Sequence, residues 1–116
     1  MAKAQPSDSG LQELKTQLKQ KALGRLYFFH GEETFLLNHY LIQIRKLALD
    51  PLTESFNYHR LNQETFDMQA FADSVENLPM MAERTLVQVD DVDPFKLPEG
   101  DRNKLAEIFS DVPDYC

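Results

Sequence analysis

Leu26-Tyr27-Phe28-Phe29-His30-Gly31-Glu32-Glu33 sets four apolar residues and a histidine before a glycine and two carboxylates. An unbroken apolar and aromatic run of that length is the pattern of a strand buried on both faces, with Gly31 as the turn after it. From Thr34 to Leu49, Leu37, Tyr40, Leu41, Ile44, Leu47 and Ala48 then recur at helical spacing, opposite His39, Gln43 and Lys46. Strand, glycine turn and helix in this order is where nucleotide-binding folds carry a phosphate loop. Such a loop needs a glycine-rich arc of N–H groups, a lysine for the terminal phosphates and a Ser or Thr for magnesium. Here Gly31 is followed by Glu32, Glu33, Thr34, Phe35, Leu36 and Leu37, so the second glycine and the lysine are missing. Two carboxylates suit a helix N-terminus and repel phosphate. Gly31, Glu32 and Glu33 are therefore read as a degenerate, non-binding phosphate loop, and no cofactor is expected.

The flanking sequence extends this pattern in both directions. Ser9 and Gln12 have capping-box spacing, and Leu11, Leu14 and Leu18 share one face of a first helix that Gly24 is expected to stop. Asp50-Pro51 ends the second helix, because proline disfavours helical geometry in the residue before it. Phe56 to Leu61 carries Asn57, His59 and Arg60 among its apolar residues and reads as a strand near a sheet edge. A third helix follows, with Asp67 as its cap, Phe66 and Phe71 at the staple positions, and Met68, Phe71, Ala72 and Val75 on one face. Pro79 is expected to end it. Thr85 to Val89 is a further buried strand, and beyond the Pro94/Pro98 loop a last helix places Leu105, Ile108, Phe109 and Val112 on one side. Strands alternating with helices predict an α/β fold with right-handed crossovers and a parallel sheet covered on both faces.

Composition narrows the function. The chain has 116 residues, a formal net charge of −7 and 42% hydrophobic content, the profile of one globular domain. Before Gly24 stand four lysines and two acids, whereas from Arg25 onward eight basic residues face seventeen acidic ones. Such a body lacks the clustered cations that phosphate neutralisation requires, so contact with DNA is expected only through partners. Cys116 is the single cysteine, which excludes an internal disulfide and a cysteine-based zinc site. No apolar run approaches the roughly 20 residues that span a bilayer, and Met1 to Pro6 lacks a signal-peptide core. A cytoplasmic protein without membrane attachment is expected.

Candidate chemistry is sparse. Asp90 and Asp91 end a strand where nucleotide-hydrolysing folds hold magnesium, with Asp93 close by, and they support a rival reading as an acidic, response-regulator-like phosphotransfer domain. Strands also commonly end in polar turn residues, and no lysine or nucleophile accompanies them. His30, His39 and His59 show no ligand spacing, no catalytic set stands out, and no metal site is expected. Met80 and Met81 differ from all of these. In Leu78-Pro79-Met80-Met81-Ala82-Glu83-Arg84-Thr85-Leu86-Val87-Gln88-Val89 they follow a proline at an element end. Neighbouring residues there point in different directions, so both cannot easily enter one core. Methionine is flexible and polarizable, and an exposed pair suits a partner's hydrophobic groove. The alternative is that both pack beneath the next strand.

Leu26 to Tyr40 (LYFFHGEETFLLNHY) and Leu78 to Val89 (LPMMAERTLVQV) together resemble the N-terminal domain of the delta subunit of the bacterial DNA polymerase III clamp loader. The resemblance extends over most of Arg25 to Val112, and the order and spacing of the two motifs are more specific than either alone. It implies a domain like that of AAA+ and P-loop NTPases, with a three-layer parallel sheet and a lost nucleotide site. It further implies a non-catalytic subunit that binds the sliding clamp (beta), opens it for loading onto DNA during replication, and assembles with gamma/tau and delta prime. The active site of the nucleotidyltransferase would lie in another subunit. The family's clamp-binding wedge maps onto Met80 and Met81, presented by Leu78 and Pro79, although family members often carry aromatic or leucine side chains there. Asp90-Asp91 also departs from the commoner pattern.

The resemblance divides the chain into an N-terminal helix, residues 1–24, and a partial AAA+-like domain, residues 25–116, with later domains beyond it. In related ATPase sheets the next strand lies between the first and third. Without it those two strands pair directly, leave a gap, or borrow a strand from another copy, so a homo-oligomer is expected.

Overall fold

A computed structural model describes residues 8–29 and 34–116. Gly31, Glu32, Glu33 and His30 lie outside the described residues, as do the side chains of residues 8–11 and 34. The elements run α1 (Asp8–Gln20), α2 (Thr34–Ala48), a single turn α3 (Glu54–Asn57), β1 (Tyr58–Leu61), α4 (Met68–Glu76), β2 (Leu86–Val89), a 3-10 turn (Pro94–Lys96) and α5 (Glu99–Ser110).

Among the described residues the sheet has two strands. β1 and β2 run parallel, with Tyr58 opposite Leu86 and Leu61 opposite Val89, and the Asp90 N–H bonds the Leu61 carbonyl one step further. The period of two along a strand sends its side chains to opposite faces. Leu86 packs with Leu14, Tyr40 and Ile44, so α1 and α2 cover one face. Val87 and Val89 pack with Phe71, Val75 and Leu105, so α4 and α5 cover the other. The parallel α/β character expected from the helix and strand order is present, on a smaller sheet.

Leu26–Phe29 departs from expectation. Tyr27 and Phe29 join the Leu14–Tyr40–Ile44 cluster, while Phe28 turns the other way, its ring 5.2 Å from that of Phe109 and nearly perpendicular. This is the side-chain alternation of a strand buried on both faces, yet the segment forms no ladder among the described residues. A strand is defined by backbone pairing, and among the described residues no neighbour pairs with this segment. Beside the start of β2, the Thr85 N–H donates instead to the Tyr115 carbonyl at 2.7 Å. The segment is anchored by its flanks: Arg25 donates to the Val112 carbonyl at 2.9 Å, and Tyr27 donates to Gln17 and accepts from the Gly24 N–H. Burial pushes the Tyr27 phenol above its ordinary value.

Two boundaries also differ. α1 includes Ser9, so that residue is not its cap, and the helix stops at Lys21 rather than at Gly24. Lys21 adopts a left-handed backbone (φ 57°), the Ala22 N–H returns to Gln17 and the Lys21 N–H to Leu18, a Schellman closure built without glycine. The strand expected from Phe56 begins at Tyr58, because Glu54–Asn57 coils into a helical turn. α4 matches its signals: Asp67 accepts from the Ala70 N–H at 3.0 Å, and the Phe66 and Phe71 rings staple its entry at 5.7 Å. The helix ends at Glu76, two residues before the leucine that precedes Pro79.

Candidate functional site

The connection from α4 to β2 carries Leu78, Pro79, Met80 and Met81, and the two methionines point outward. Met80 is 56% exposed, Met81 85% and Leu78 73%, so packing beneath the following strand is excluded for both. Hydrophobic side chains scattered singly on a surface are ordinary, but three within four residues form a local apolar projection.

What fixes that projection lies 23 residues earlier. Asn57, at the end of α3, is 1% exposed and spends its carboxamide on backbone. Its Oδ1 accepts from the Met80 N–H at 2.7 Å, and its Nδ2 donates to the Met80 carbonyl at 2.9 Å and to the Thr53 carbonyl at 3.1 Å. Pro79, with its locked φ, enters the turn from one side. Met81 leaves it with a left-handed backbone, φ 55°. The stem is closed further by Tyr115, whose hydroxyl donates to the Glu76 carbonyl at 2.6 Å where α4 ends.

α3 is itself held against α2 and β1. Arg45 makes two hydrogen bonds to Glu54, at 2.8 and 3.0 Å, and its guanidinium lies 4.4 Å from the centroid of the Tyr58 ring. The fork-to-carboxylate geometry is the strong form of such a pair. It holds the Glu54 carboxyl below its ordinary value and the Arg45 guanidinium above its own. Tyr58 then donates to Gln88 at 2.7 Å, and Gln88 donates to Asp90 at 2.9 Å.

Asp90, one of the two residues on which the phosphotransfer reading rests, sits at the end of this chain of bonds. Its second oxygen takes Arg60 Nε at 2.6 Å, a pairing that raises the Arg60 guanidinium. Asp91 is exposed with a left-handed backbone (φ 59°), and Asp93 caps the 3-10 turn by accepting from the Phe95 N–H at 2.9 Å. Among the described residues no three His, Cys, Asp or Glu side chains are grouped to hold a metal ion. His39 pairs with Gln43 at 2.7 Å on the exposed side of α2, and His59 lies opposite Val87 in the ladder. No helix among the described residues is long and apolar enough to cross a membrane.

Sequence reasoning singled out the methionines and passed over Asn57. A polar residue inside an apolar run was the available signal. In the sequence Asn57 reads as one polar position of an edge strand, whereas folding makes it a buried amide in need of partners.

Comparison with known proteins adds an independent finding. Residues 27–116 match the family described as DNA polymerase III, delta subunit. A curated relative, DNA polymerase III subunit delta of Bacillus subtilis (strain 168), is 38% identical over 101 residues, which cover 84% of this chain and 28% of that protein. No solved structure matches the chain.

Proposed function

The chain belongs to the DNA polymerase III delta-subunit family, and from that premise we propose that it supplies the clamp-binding part of a replication clamp loader. Because it spans 28% of the length of its curated relative, the activity and partners of the longer protein are carried over as part of the proposal. Leu78, Pro79, Met80 and Met81 form the wedge, and the observation that carries the reading is the exposure of both methionines on a turn fixed by hydrogen bonds from the buried Asn57 amide.

The mechanism is differential binding. A ligand shifts an equilibrium only by its preference for one state, so the wedge favours an opened ring to the extent that it binds that state better than the closed one. Burying two methionine side chains in a partner's groove supplies about 3–6 kcal/mol before ordering costs. The surrounding scaffold is proposed to be AAA+-like, with residues 25–116 as its first domain and Gly31, Glu32 and Glu33 as a phosphate loop that no longer holds nucleotide. ATP-binding partners of the gamma/tau kind, together with delta prime, then decide when the wedge is presented. In this reading the protein works in the cytoplasm and meets DNA only within the assembled complex.

The test is a calorimetric titration against a purified bacterial sliding clamp. The chain is expected to bind, and Met80→Ala combined with Met81→Ala is expected to remove binding while the unfolding midpoint stays within a few degrees. Undiminished binding by that variant refutes the assignment.

A further inference from the structure

Asn57 is nearly sealed from solvent, and its amide meets backbone rather than another side chain. The turn it reaches has little support of its own. Among the described residues, the backbone groups of residues 78–84 make no hydrogen bonds with one another. One carboxamide thus bonds both the N–H and the carbonyl of Met80, as a neighbouring strand would. A buried amide left without partners is costly, so Asn57 and the turn hold each other in place.

We propose that Asn57 is a positioning residue for the wedge: by holding Met80 through both backbone groups it keeps the Met80–Met81 pair in its outward, binding-ready arrangement. Its consequence for affinity rests on the clamp-binding reading above, whereas its cause rests on the hydrogen-bond geometry. When a binding-competent conformer is only partly populated, apparent affinity falls by that fraction. Releasing two hydrogen bonds lets the turn sample other conformers, which lowers affinity without touching the methionines themselves.

The experiment pairs a titration against purified sliding clamp with hydrogen exchange of individual amides in the same chain. Asn57→Ala is expected to weaken binding about 5- to 50-fold and to expose the Met80 amide to exchange, while the amides of Leu86 to Val89 keep their protection. Asn57→Ser, which keeps a polar group but cannot span both Met80 groups, is expected to fall in the same direction. A role confined to packing would move the β-ladder amides and the affinity together. The proposal is overturned if clamp affinity stays within twofold of wild type while the Met80 amide loses protection. It is equally overturned if affinity falls only in step with ladder protection, or if both variants unfold, since Asn57 then serves the core. Failure of the wild-type chain to bind clamp would refute the functional reading alone. Protection of the Met80 amide would still decide whether Asn57 holds the turn.

Discussion

Arg45 joins three elements through one guanidinium, reaching from α2 to Glu54 in α3 and to the Tyr58 ring in β1. The Glu54 carboxyl is held below its ordinary value chiefly by that hydrogen bond. A depressed carboxylate contributes stability that is present above the unfolded value and is lost as pH falls through the folded one. Glu54→Gln is therefore expected to lower the melting temperature at pH 7, with the difference from wild type shrinking as pH falls through the depressed value of the folded carboxyl, as paired thermal melts would show. Cys116 offers a second check, because burial pushes its thiol above the ordinary value, with Thr85 as a partial offset. Alkylation by iodoacetamide at pH 8 is expected to be several-fold slower in the folded chain than in urea. Neither Arg45 nor Asn57 announced its role in the sequence. Arg45 reads there as one more cation near a helix end, and Asn57 as a polar interruption, since their partners are brought to them only by folding. Met80 and Met81 were legible because a proline and an element end are local signals.

α4 is where local chemistry and tertiary packing agree. Its cap, its aromatic staple and its buried stripe of Phe71, Ala72 and Val75 were all readable, and all are present. Asp67→Ala is expected to cost about 0.5–2 kcal/mol through loss of the Ala70 N–H bond. Phe71→Ala is expected to cost about 3–5 kcal/mol, because the ring also meets Phe109 at 6.3 Å between centroids. Urea denaturation of the two variants gives both numbers. Leu26–Phe29 shows the opposite relation. The face each side chain takes follows from alternation within four residues, but pairing depends on a neighbour that no local pattern encodes. α3 replaced the first two residues of an expected strand, Phe56 and Asn57, for a related reason. Helical closure from Thr53 to Asn57 puts Thr53 and Asn57 in the core, leaving Leu52 and Phe56 exposed, an exchange that apolar counting would not select.

The acidic balance of the chain governs what it approaches. With a net charge of −7, it is expected not to bind duplex DNA at 150 mM salt in fluorescence anisotropy. Among the described residues the two-stranded sheet has unpaired outer edges, so sedimentation velocity is expected to show association that grows with concentration. Domains of this size hold together by only about 5–15 kcal/mol, so any strained residue takes a noticeable share. Met81 is such a residue: its left-handed backbone disfavours a side chain by roughly 1–2 kcal/mol, and glycine would sit there more comfortably. Met81→Gly should thus yield a tougher protein with a blunter tip. Durability and grip pull in opposite directions at that position, and a sequence optimised for shelf life alone would not keep a thioether there.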